Sequence, residues 1–257
     1  LQRLDLPGDR YYALLNKNEL EISNLQSQII SCNVSNNKRD GLKYLEKLEE
    51  IVSEEDHLIR QFILRSKIAF GYPDGEDIRP YSFDEKEKIL FEALYLTVPK
   101  FDIDEINNNF YTVEEIKIIN QIALNYSDAG QNKKAIDVYN QLLKYIKKHL
   151  MNLKEANGLA ILISYNCSRS LYLEKRYEES ITIANLGLEV SIKERCSSYL
   201  GGFLSVLGHS FYAERKLEES KRYFYQSFYL YTVLRDDTNI ALAKKNLKDF
   251  FNIDILY

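Results

Sequence analysis

Proline and glycine are scarce: 4 and 10 residues in a chain of 257. Few segments therefore carry turn chemistry, and long Glu/Lys/Leu/Ile-rich stretches are left free to follow helical period. No run of about 18 apolar residues occurs, which excludes a membrane-spanning helix, and no leader-like segment is visible. Charge of one sign is also lacking. A formal net charge of −4 argues against this segment gripping nucleic acid by itself. The three cysteines, Cys32, Cys167 and Cys196, are an odd set without metal-ligand spacing. Reduced, buried thiols in a cytoplasmic protein are expected. Motifs of catalysis are missing too: no glycine-rich phosphate loop, no His-Glu-x-x-His, no Gly-x-Ser-x-Gly and no paired cysteines. His57, His149 and His209 lie far apart, and Asp102-Ile103-Asp104 is isolated. No enzyme activity, cofactor, catalytic residue or metal site is expected.

What the chain has is self-similarity. One segment reads Ile119, Ile122, Ala123, Tyr126, Gly130, Ala135, Tyr139, Leu142. A second reads Cys167, Ser168, Leu171, Tyr177, Ser180, Ala184, Gly187, Leu188, and a third Leu207, Gly208, Phe211, Leu217, Ser220, Phe224, Ser227, Phe228. Small residues let two antiparallel helices approach, and large ones fill the space beside them. The skeleton is that of tetratricopeptide (TPR) helix hairpins. Equivalent positions 123, 168 and 208 are further apart than the usual ~34 residues, which reads as lengthened helices. The expected fold is all-α: a right-handed α-solenoid of TPR-like hairpins closed by a C-terminal capping helix.

Five repeats are assigned, at residues 17–52, 53–99, 112–150, 152–193 and 197–234, with a cap at 236–251 led by Asp236 or Asp237. Residues 1–16 read as an entry segment in which Asp9 caps a short helix, following a domain outside this sequence. Ser53 opens a helix in a capping-box-like run to Asp56, and Ser82 with Glu85 and Thr112 with Glu115 form capping boxes. Gly71 to Pro80 reads as a ten-residue loop, long for a helical hairpin. Phe101, Ile103 and Ile106 anchor a linker, and the aromatic run from Tyr223 to Tyr231 reads mainly as core.

Four stretches carry a resemblance: Asp9-Arg10-Tyr11-Tyr12, Leu90 to Pro99, Glu115 to Ala123, and Gly130-Gln131-Asn132-Lys133-Lys134-Ala135-Ile136. With them the chain resembles the C-terminal half of helix-turn-helix (Xre-type)/TPR transcriptional regulators of Gram-positive bacteria, the RRNPP family of PlcR, Rgg and NprR peptide-pheromone receptors. The resemblance implies repeats that bind a short re-imported quorum-sensing peptide and that form a homodimer. A DNA-binding helix-turn-helix precedes the repeats in that family. None lies in this sequence, so DNA contact is expected only through a domain absent from it.

A peptide would lie in the concave groove, along the first helix of each hairpin. Asn120 and Asn166 each offer an amide donor and acceptor that match a main-chain unit, and the resemblance implies such use of asparagines. Lys67, Lys117 and Arg169 suit a carboxylate. Tyr165 and Tyr212 offer apolar area with a polar tip, and His209 completes the expected set. Two alternatives remain open at this point: an adaptor that docks a protein partner, and a Rap-like regulator of a signalling protein.

Overall fold

Caps set where the helices begin. In the computed structural model, which describes residues 16–150 and 154–255, Ser82 accepts from the Glu85 amide while the Glu85 carboxylate accepts from the Ser82 amide. Thr112 and Glu115 reciprocate in the same way, as do Asn16 and Glu19. Each box satisfies two amides that a helix start leaves without intrahelical partners. The expected start at Ser53 is displaced: Asp56 accepts from the Ile59 amide at 3.2 Å and the helix begins at His57. Ser53 instead takes the Glu55 amide in a local turn. The expected entry helix and its Asp9 cap lie outside the described residues.

The chain divides into two units between Phe101 and Asp102. The first contains α1 (Lys17–Val34), α2 (Lys38–Ile51), α3 (His57–Phe70), strands β1 (Tyr72–Asp74) and β2 (Asp77–Arg79), and α4 (Phe83–Tyr95). Leu25 and Ile29 of α1, Leu45 and Leu48 of α2, and Phe62 and Phe70 of α3 form its core. Gln61 is fully buried, and its amide donates to the Ala93 carbonyl at 3.0 Å and the Thr97 hydroxyl at 2.6 Å, tying α3 to the end of α4. The stretch expected as a loop at 71–80 is an antiparallel β-hairpin, with Tyr72 opposite Arg79 and Asp74 opposite Asp77. Gly71 opens it at φ +90°, where a Cβ would overlap the Arg79 carbonyl, so only glycine fits there.

The second unit is a stack of helix hairpins: α5 (Val113–Asp128), α6 (Asn132–His149), α7 (Lys154–Leu173), α8 (Tyr177–Lys193), α9 (Leu200–Ala213) and α10 (Leu217–Leu234), followed by α11 (Asp237–Phe251). This is the TPR-like, all-α solenoid architecture. The approach to α5 is fastened to α6: Gln141 accepts from the Ile106 amide at 3.1 Å, and the Tyr145 hydroxyl accepts from the Tyr111 amide at 2.8 Å.

Small residues set the spacing within the stack. A Cβ on Gly187 would overlap the Phe203 ring, and one on Gly208 would come within 2.7 Å of Phe224. A serine staple repeats inside two hairpins. Ser180 donates to the Ser168 carbonyl at 2.8 Å, and twelve-residue spacing recurs where Ser220 donates to the Gly208 carbonyl at 2.7 Å. Ala135 holds the corresponding place in α6 and offers no hydroxyl. The turns recur as well. After Gly130 (φ +76°), left-handed residues stand at Lys175, Arg195, Arg215 and Arg235.

Asp236 caps α11 by accepting from the Asn239 amide. Ala243 and Leu247 of α11 cover Phe224 and Phe228 of α10. The aromatic run of α10 thus splits: Phe224 and Phe228 are core, whereas Tyr225 and Tyr229 stack on each other at 6.1 Å, with Tyr229 exposed.

Candidate functional site

The first helices of successive hairpins touch each other directly, α5 against α7 and α7 against α9. Among the described residues the second helices, α6, α8 and α10, have no comparable mutual contact. Helices that touch lie on the inside of a bend, so α5, α7 and α9 line the inner face of this unit.

Along that face Asn120 of α5 and Asn166 of α7 meet. The Asn166 amide donates to the Asn120 carbonyl oxygen at 3.1 Å, and the two residues keep only 5% and 6% of their surface. Further along the same helices, two turns on in α5 and one in α7, the Ser127 and Ser170 hydroxyls pair at 2.8 Å. The seam between α5 and α7 is therefore polar, with its hydrogen bonds satisfied within the protein. Spacing placed both asparagines on first helices; it did not reveal that they are each other's partner.

The seam between α7 and α9 is different. Tyr165 packs edge-on to Phe203 at 5.7 Å and lies 5.2 Å from Tyr199. Gly202 leaves room for its ring, since a Cβ there would stand 2.5 Å from it. Arg169 is exposed, with its guanidinium 6.0 Å above the Tyr165 ring. Lys117 forms an ion pair of 3.6 Å with Glu114 one turn earlier, an arrangement that contributes little by itself.

Towards the C-terminal end the face is occupied by the protein itself. His209 sits 4.9 Å from Phe224, 5.2 Å from Phe250 and 5.6 Å from Tyr172. Tyr212 packs on Phe250 at 4.6 Å and on Phe251 at 5.8 Å. His209 and Tyr212, expected in an open groove, pack against the two phenylalanines in the last turn of α11 and keep part of their surface exposed. The spacing Ala243, Leu247, Phe250 is the sequence signal for this contact. Burial holds the His209 imidazole below its ordinary pKa, and its Nδ1 is buried without a hydrogen-bond partner. Burial likewise pushes the Cys167 thiol up to about 12, so it is an inert core group.

Lys67 belongs to the first unit, where its ammonium pairs with Glu49 at 2.5 Å. Among the described residues no cluster of His, Cys, Asp and Glu could hold a metal, and no helix is long and apolar enough to cross a membrane.

Residues 89–249, more than half of the chain, match the family model described as the RNPP family C-terminal domain. The chain belongs to the RNPP family. This bears out the resemblance carried by Glu115 to Ala123 and Gly130 to Ile136. Among solved structures, this RNPP chain is similar to Bacillus thuringiensis PlcR in complex with the peptide PapR7 and DNA, with a TM-score of 0.70 at 18% identity over 94% of this chain and 81% of that one. PlcR in its apo form gives 0.69 at 19% identity, over 94% and 84%. TPR-like repeats of a Podosopora anserina putative kinesin light chain give 0.51 at 11% identity, over 84% and 96%. At these identities the likeness is one of fold. No sequence among the curated proteins matches.

Proposed function

We propose that this chain is the peptide-sensing and dimerisation domain of a cytoplasmic transcriptional regulator, and that a short extended peptide lies along α5, α7 and α9. The observation that carries this reading is the Asn120–Asn166 pair. Two primary amides bonded only to each other can exchange that bond for two bonds to a peptide's main chain, without stranding a buried polar group. Arg169, exposed beside Tyr165, supplies a charge for a peptide carboxylate, and Lys117 a second. Tyr165 offers an aromatic wall. The match to PlcR, whose structure contains the peptide PapR7 and DNA, supports the class of ligand. DNA would be contacted by a domain outside this chain.

Differential binding of ~1–3 kcal/mol between two arrangements of the stack suffices for a switch. Calorimetry against a library of short linear peptides with free carboxyl ends tests the reading. Saturable binding that falls about tenfold in Arg169→Ala is expected, since one charge-assisted bond is lost. A library with no binder, or unchanged affinity in both Arg169→Ala and Asn166→Ala, refutes it.

Dimerisation draws on the second helices. Leu186 and Ile192 of α8 and Tyr229 and Val233 of α10 are all more than half exposed, and exposed apolar side chains on outer helices are what a protein interface would cover. Sedimentation of the wild type and of Val233→Lys checks it: a dimer that dissociates on substitution is expected, and a monomeric wild type refutes it.

A further inference from the structure

The β-hairpin of the first unit borders an open pocket of about 500 Å³ against α2 and the end of α3, within the size range of small-molecule sites. Leu42 and Leu45 of α2 and Ile78 of β2 make it apolar, and Tyr72 and Tyr81 add an aromatic wall with ring centroids 5.1 Å apart. Arg39 donates to the Glu76 carbonyl at 3.2 Å, tethering the hairpin turn to α2. Lys67 and Glu49 also line the cavity, with Lys67 Nζ 2.5 Å from Glu49 Oε1. They keep 31% and 44% of their side-chain surface. Burial first, then the Glu85 and Glu49 carboxylates, raise the pKa of the Tyr81 phenol.

We propose that this cavity binds a free α-amino acid with an apolar side chain. A lysine and a glutamate in contact present one positive and one negative charge side by side. The ammonium and carboxylate of a single amino acid are adjacent in the same way, so the two pairs match head to tail: carboxylate on Lys67, ammonium on Glu49. The protein ion pair need not break to admit the ligand. Its side chain then lies on Leu42, Leu45 and Ile78. A peptide does not satisfy this arrangement. An extended chain advances roughly 3.3–3.6 Å per residue, so even a dipeptide carries its end charges too far apart for one ion pair, and an internal residue carries neither.

The proposal uses other residues, in the other unit, than the peptide reading above, and either stands if the other fails. Calorimetric titration of the intact chain with L-leucine, L-isoleucine, L-phenylalanine and L-tyrosine tests it, beside N-acetyl-L-leucine, L-leucinamide and leucyl-leucine. Saturable binding of at least one free amino acid at millimolar concentration or below is expected, with about a tenfold loss when either end is blocked. Lys67→Met and Glu49→Gln should each lose a similar factor. Both side chains are partly exposed, and far-UV melts confirm that the variants fold. The blocked ligands read the same recognition on unaltered protein. The proposal is overturned by no binding from any of the four, by blocked forms or the dipeptide binding as tightly, or by wild-type affinity in either variant.

Discussion

Replacing Asn166 by Ala removes a donor from a seam where Asn120 is 5% exposed and leaves the Asn120 oxygen without its partner at 3.1 Å. A stranded buried acceptor costs ~1–3 kcal/mol, whereas a made hydrogen bond contributes only ~0.5–1.5 kcal/mol net. Each single substitution, Asn120→Ala or Asn166→Ala, should therefore lower stability by ~1–3 kcal/mol. The double variant should lose less than the sum, with a coupling near ~1 kcal/mol, outside the ~0.3–0.5 kcal/mol scatter of independent sites. Urea unfolding of the four proteins, followed by circular dichroism, measures it. A pair Asn120→Leu with Asn166→Leu goes further. Apolar groups replacing both partners strand nothing, so stability should recover towards the wild type, while peptide affinity should not. Coupling within the scatter would show that the two amides are solvated separately. Peptide binding that survives the double leucine variant would remove the asparagines from the ligand site.

Gly208→Ala should cost ~1–3 kcal/mol through overpacking, because its Cβ would come within 2.7 Å of Phe224; Gly158→Ala, in α7 with nothing within 4 Å, should instead stabilise by ~0.5–1 kcal/mol. Thermal melts that rank the two in the opposite order would refute the packing account. Arg215→Gly, at φ +60°, should raise stability by up to ~1 kcal/mol, since glycine carries no left-handed penalty; a lower melting temperature would contradict it. His209, held below its ordinary pKa by burial, takes up protons more readily when unfolded. Its contribution is present above the unfolded value of ~6.5 and is lost as pH falls through the lower folded value. His209→Phe should flatten the decline of stability between about pH 7 and 5, as read by melts across that range, and an unchanged slope would refute it.

Helix starts were legible at Ser82 and Thr112, where the capping residue and its glutamate partner lie three apart, because the bond is local. Ser53 misled since Asp56, three residues on, has the better geometry for the same task. The hairpin at Tyr72–Arg79 was not legible as strands: three residues each are too few for alternation to register, though Gly75, at φ +63° in the turn, is a hairpin signal. Period alone brought Asn120, Asn166 and His209 to first helices. It could not bring Phe250 to His209, because that contact depends on how α11 crosses the stack. Nor could it show Lys67 beside Glu49, eighteen positions away on another helix.

The two inner seams are made of unlike material, and their mechanical response follows. Prising α7 from α5 exposes amides and hydroxyls that water can bond in exchange. Prising α9 from α7 bares tyrosine and phenylalanine rings, for which water offers no substitute. Opening the first joint should therefore cost less than opening the second.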